Sequence, residues 1–205
     1  VAAASAALEH ARLDTPLPCA SDGDYYQYDD GSAYWLLWDG RYKAVWFDPD
    51  DFWPDGPPVF GIISLELWFY HHSSCPWDVS SFYGELWEGD SSGPAILEGS
   101  ESVTALHYAP VDAFVYYPSY TTQFWGIANC SMSSGGWPSL LADNTPGYYN
   151  HSFVSDDFET WTPWIRQGPT SNDFFIRGEL DWWYTSLDHA TWASIKSLWG
   201  CEQED

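Results

Sequence analysis

FGIISLELWFYHH, residues 60–72, decides the fold. Ile62, Ser64, Glu66, Trp68 and Tyr70 alternate with Ile63, Leu65, Leu67 and Phe69. A period of two is that of a strand with one buried face, and it predicts a strand over Phe60–His72 with the second set toward the core. Outward from it, apolar runs recur between turn clusters in both directions. Before it come Tyr25–Tyr28, Ala33–Trp38 and Tyr42–Phe47, the last two flanking Asp39-Gly40, a hairpin signal. After it come Phe82–Glu88 and Ala95–Leu106 around the turn Gly89–Gly93, then Ala113–Tyr117, Gln123–Cys130, Ser139–Ala142, Tyr148–Val154 and Asp173–Trp183. Turn signals at this spacing, with no helix-length segments between them, predict an all-β fold: an antiparallel β-sandwich of jelly-roll type.

The two ends read differently. Residues 1–24 form an extended N-terminal arm, alanine-rich over 1–14, where Leu8 and Arg12 stand at helical spacing. The sandwich domain spans 25–185. Residues 186–205 hold a short C-terminal helix over His189–Trp199, capped by Asp188 and ended by Gly200. The start at Val1 rather than Met is read as a mature form whose leader has been removed.

Composition narrows the function. Thirty acidic residues face six basic ones, a net charge of −24. Such a field repels phosphate backbones and anionic membrane surfaces, which excludes nucleic acid as a partner. No run of 18 apolar residues is present, so no segment reads as a transmembrane helix. The chain also carries 15 Trp, 14 Tyr and 11 Phe. About ten strands of about five residues offer only about 25 inward positions. Some large aromatics are therefore expected at the surface, marking a contact with another subunit, a sugar or a surface.

Four cysteines, Cys19, Cys75, Cys130 and Cys201, lack zinc spacing. Three pairings are open to them, and the preferred one is Cys19–Cys201 with Cys75–Cys130. Oxidised cysteines, acidity and few lysines agree on an extracellular or cell-surface location.

Several landmarks, in order, resemble a β-sandwich domain that recurs in secreted bacterial proteins. Tyr28-Asp29-Asp30-Gly31 resembles its YDDG opening strand, and Lys43–Pro49 its AVRFTP strand, with Trp46 at the usual Arg. Gly84–Gly93 is similar to its hairpin, and Phe124–Ile127 to its FYVGI strand. Asp173–Glu179 (DFFIRGE) resembles its DFxIR closing strand, and Thr191–Leu198 its TWxxIKxL C-terminal run. The resemblance implies a sandwich fold and export, with no assigned catalysis.

No candidate for catalysis emerges. A nucleophile elbow is absent, and the histidines (10, 71, 72, 107, 151, 189) are scattered, with His71 and His72 expected on opposite faces of a strand. Thirty acids supply many accidental carboxylate pairs, so none is singled out as a hydrolytic pair. Calcium is the one cofactor considered. Asp48, Asp50, Asp51 and Asp55 share a proline-rich loop that could offer several oxygens, although solvated turns with Asp capping amides explain the same residues. Asn150-His151-Ser152 is a glycosylation sequon.

Two functions follow. The first is a non-enzymatic structural subunit, self-assembling into an extracellular filament or surface layer. Its arm would dock on a neighbouring copy through Val1, Ala4, Ala7, Leu8 and Leu13. The alternative is a carbohydrate-binding module that stacks glycans on Trp35, Trp38, Trp53, Trp77, Trp137 and Trp161.

Overall fold

In a computed structural model of the chain, residues 25–38, 40–52, 60–117, 123–144, 151–165 and 172–182 are described. The N-terminal arm, the C-terminal helix, Cys19, Cys201, Trp53, Asp55 and Asn150 lie outside them.

The described residues contain β1 (Tyr25–Tyr26), β2 (Trp35–Leu37), β3 (Tyr42–Phe47), a single helical turn α1 (Pro49–Phe52) and β4 (Phe60–Trp68). Next come β5 (Ser81–Asp90), β6 (Gly93–Thr104), β7 (Pro110–Tyr117), β8 (Phe124–Asn129) and β9 (Leu140–Ala142). The series closes with β10 (Ser152–Ser155), β11 (Thr162–Pro163) and β12 (Ile176–Trp182). They build a four-stranded sheet ordered β1-β12-β4-β7, a six-stranded sheet ordered β11-β10-β3-β8-β5-β6, and the pair β2-β9. Every pairing between these strands is antiparallel. The fold is all-β.

The two larger sheets share one hydrophobic core. Leu65 and Leu67 of β4, Ala113 and Val115 of β7 and Ile176 of β12 meet Phe47 of β3, Phe82 of β5 and Phe124 of β8. Facing glycines let the sheets approach. A Cβ on Gly84 of β5 would collide with the Ala113 side chain, and one on Gly126 of β8 would press Ile176 and Leu65 at 3.0 and 3.1 Å. Only a missing side chain permits that spacing.

The 60–72 stretch keeps its period with two departures. Ile63 is an extra residue against β12, because Glu179 pairs with Ser64 while Leu180 pairs with Ile62. That bulge puts Ile62 rather than Ile63 into the core beside Leu65, Leu67 and Phe69. The strand also ends at Trp68 rather than His72. Phe69 makes single bridges to His107 and Leu140, and His72 and Cys75 close a turn. His71 and His72 thus lie beyond the strand instead of on its two faces.

The expected hairpin about Asp39-Gly40 does not form. Gly40 does turn the chain, at φ +93. However, β2 pairs with β9, and both edges of β3 are taken by β8 and β10. Burial decides this, since Leu36 and Leu37 are buried alongside Leu140 and Leu141. By contrast the β5–β6 hairpin forms as the sequence indicates, with Gly93 at φ +150 and Asp90 Oδ1 accepting from the Ser92 amide at 2.8 Å.

The expected Cys75–Cys130 disulfide is corrected: both thiols are free and buried. Cys75 follows β4 and packs with Leu36, Trp68, Leu141 and Phe175. Cys130 follows β8 and belongs to the main core. The strand ends that carry them lie in different sheets and feed different clusters.

Candidate functional site

Strands β6 and β7 stand at the ends of their sheets' strand orders and run along one flank. Gly99 of β6 lies 3.1 Å, measured from an added Cβ, from Val115 of β7. The Phe114 amide donates to Glu101 Oε2 at 2.5 Å. Along β7 the period of two is strict, with Val111, Ala113 and Val115 buried and Asp112, Phe114 and Tyr116 exposed. Phe114 is 67% exposed and Tyr116 52%, and on β6 Ile96 and Leu97 are 55% and 47% exposed. Four large apolar side chains on two neighbouring strands therefore face water. The Glu101 carboxylate occupies an outward amide of β7, which hinders another strand from adding there.

The four-stranded sheet carries an acidic row from β7 back to β1. Although its side chain reaches the surface, partial desolvation holds the Asp112 carboxyl above its usual range, and Glu66 and Glu179 push it the same way. The Tyr25 hydroxyl is raised by burial and then by Glu66, Glu179 and Asp112, with Arg177 opposing.

The tryptophans proposed for sugar stacking are not gathered. Trp35 is half-buried against the main core, with Nε1 donating to Asn144 Oδ1 at 3.2 Å. Trp77 packs on the same core, its Nε1 donating to Ser139 Oγ at 3.1 Å and its ring 4.8 Å from that of His71. Trp137 packs there too, Trp38 on the cluster around Cys75, and Trp161 on a third cluster around Trp125. Each of these five is partly buried against one of the three clusters. Three clusters absorb most of the aromatic surplus, and the sequence-level count of inward positions missed the second and third.

The acidic loop is tied inward. Asp48 Oδ1 accepts from the Asp50 amide at 3.1 Å, and Oδ2 accepts from Gln123 Nε2 at 2.7 Å. Asp51 turns elsewhere, taking the Tyr28 hydroxyl at 2.8 Å and lying 3.4 Å from His151 Nε2. His151 is stacked between Tyr28 and Trp46, at 3.6 and 5.3 Å. Burial lowers its pKa, while the Trp46 carbonyl and the charges of Asp51 and Asp48 oppose this. Asp48 and Asp50 line an open cavity of about 540 Å³ together with Glu88, Asp90 and Gln123. Among the described residues no three His, Cys, Asp or Glu side chains could hold one metal ion. Asp48 thus caps a turn amide, whereas Asp51 is taken up by Tyr28 and His151.

A buried charge network was not anticipated. Arg177 of β12 grips Asp29 through Nε at 2.9 Å and Nη2 at 2.6 Å, and reaches Glu66 Oε1 by Nη1 at 2.9 Å. Trp68 Nε1 donates to the same Glu66 oxygen at 2.9 Å. Next to it, Asp143 accepts from the Asp173 and Asp30 amides at 2.8 and 3.1 Å. The Asp173 carboxyl is pushed up to about 7, by burial first and then by Asp143 and Asp29. The available signal was Tyr28–Gly31 and Asp173–Arg177: the opening and closing motifs bond one another across 148 residues of sequence.

No known protein family, curated protein or solved structure matches the chain. Among the described residues no helix is long and apolar enough to cross a membrane.

Proposed function

We propose that the protein is a non-enzymatic structural subunit that self-assembles into an extracellular filament or surface layer, with its N-terminal arm docking on a neighbouring copy. The two core-sharing sheets are read as a jelly-roll-like sandwich of the secreted bacterial kind that the motifs resemble. The Asp29–Arg177 grip between those motifs supports this. One observation carries the assembly reading: Ile96 and Leu97 of β6 and Phe114 and Tyr116 of β7 are exposed, while the described tryptophans pack on three apolar clusters. Apolar side chains in that density mark a surface that another chain covers. The β6 edge and the arm are complementary routes, one adding a flank contact and the other a tether, and a head-to-tail contact that does not close gives a filament. The glycan-binding alternative requires open tryptophan faces and is the weaker reading.

The test is electron microscopy and light scattering of the native chain beside a Phe114→Ser/Tyr116→Ser double variant. Both positions are solvent-exposed, so the variant keeps its fold. Extended assemblies from the native chain and dispersed particles from the variant are expected. Removing residues 1–20 should likewise leave a folded monomer. A native chain that stays monomeric at all concentrations refutes the assembly reading.

A further inference from the structure

Lys43 of β3 is fully buried, a rare place for an ammonium group. Its Nζ donates to the Gly40 carbonyl oxygen at 2.9 Å and the Pro138 carbonyl oxygen at 3.1 Å. The same nitrogen lies 3.9 Å from Cys130 Sγ, which is also fully buried. Cys130 is the residue directly after β8, and its neighbour Ser131 is exposed. Burial raises the Cys130 thiol, and Lys43 opposes that through its charge and its hydrogen bond. The net direction is upward, and Lys43 offsets only part of it, drawing the sulfur back toward the thiolate, the form that reacts with peroxides.

We propose that Lys43 and Cys130 form an oxidative modification site, in which hydrogen peroxide converts the pair into a covalent sulfur–nitrogen link. In the first step the sulfur attacks the peroxide: an S–O bond forms, the O–O bond breaks and one water leaves. Sulfur loses two electrons to the peroxide and becomes a sulfenic acid. In the second step Nζ, its ammonium proton released to solvent, attacks that sulfur. The S–N bond forms, the S–O bond breaks, and the oxygen departs as a second water with a proton from the nitrogen. Thiol, amine and one peroxide give the link and two waters. Lysine's flexible four-carbon stem allows Nζ to close the gap. The backbone need not move far, because Lys43 is already opposite Ala128, two residues before Cys130.

The test is peptide mass spectrometry of the folded, full-length chain after treatment with hydrogen peroxide, with remaining thiols alkylated under denaturing conditions. Expected is a peptide pair joined through Lys43 and Cys130, lighter by two hydrogen atoms than its parts. Trypsin should fail to cut after Lys43, and a thiol reductant should restore cleavage. In a Lys43→Met variant whose fold is verified by circular dichroism, Cys130 should instead accumulate as sulfenic or sulfinic acid. If that variant does not fold, the joined peptide from the native chain decides alone. Full alkylation of Cys130 after peroxide, its sulfinic acid beside an unmodified Lys43, or its appearance in a disulfide would each overturn the proposal.

Discussion

Replacing Asp173 by Asn should make the protein more stable at neutral pH and change little in acid. The carboxyl is buried among Asp143 and Asp29, and its pKa rises from 3.8 to about 7 in the folded chain. A raised folded pKa means that the native state binds the proton more tightly than the unfolded one. The resulting stability is complete below the unfolded value near pH 4 and disappears as pH climbs through about 7. A shift of about three units corresponds to at most about 4 kcal/mol, and coupling to Asp143 spreads part of it over the pair. Asn has the same shape and remains neutral, so it keeps an acceptor for the Ser152 hydroxyl, which lies 3.5 Å from Asp173 Oδ1. The assay is urea unfolding of native and variant chains at a series of pH values from about 4 to about 8. Subtracting the two curves cancels carboxylates with the opposite trend, such as Asp78, Asp90 and Asp157, whose pKa values hydrogen bonds lower. The stability gained by the variant should grow with pH and level off above about 7. A difference that does not change with pH, or a variant that is weaker at pH 8, would refute the burial argument.

Arg177→Met should cost about 3–5 kcal/mol, since it strands Asp29 and Glu66 in the interior, and a lowered urea midpoint would show it. Arg177→Met combined with Asp29→Asn and Glu66→Gln should recover part of that loss, measured in the same way. Gly84→Ala should destabilise by about 1–3 kcal/mol, because the new methyl meets Ala113 across the sheets; a companion Ala113→Gly change should relieve the clash. Thiol titration of the unfolded, unreduced chain should report both Cys75 and Cys130 as free, and finding them joined would show that the two buried clusters rearrange.

Strand existence was legible where one face is apolar and the other is not. The β7 alternation of Val111, Ala113 and Val115 with Asp112, Phe114 and Tyr116 is visible in the chain, and so is the Gly93 hairpin. Pairing partners were not legible. Asp39-Gly40 marks a reversal but does not say that Leu36 and Leu37 find Leu140 and Leu141 rather than β3. The Ile63 bulge was equally silent, because it is fixed by the register of β12. At the candidate surface, composition indicated exposed apolar groups but did not single out Ile96, Leu97, Phe114 and Tyr116. Tryptophans are large enough to be drawn into side clusters around Trp125 and Trp68, which leaves a phenylalanine and a tyrosine outside. Glu66 read as lying off the core face, and its ion pair with Arg177 was silent because it depends on a contact between distant parts of the chain.

Because the four-stranded sheet runs β1-β12-β4-β7, the strand that lies between β1 and β4 is the last one made among the described strands. A growing chain therefore carries β1 and β4 with the gap between them empty until Ile176–Trp182 has been made. During that time Leu65 and Leu67 lack the strand that helps cover them, and Asp29 and Glu66 await their only buried guanidinium among the described residues. Contacts this distant in sequence form slowly and late. A chain that lacks β12 would show sticky, unpaired edges of β1 and β4 to chaperones and proteases.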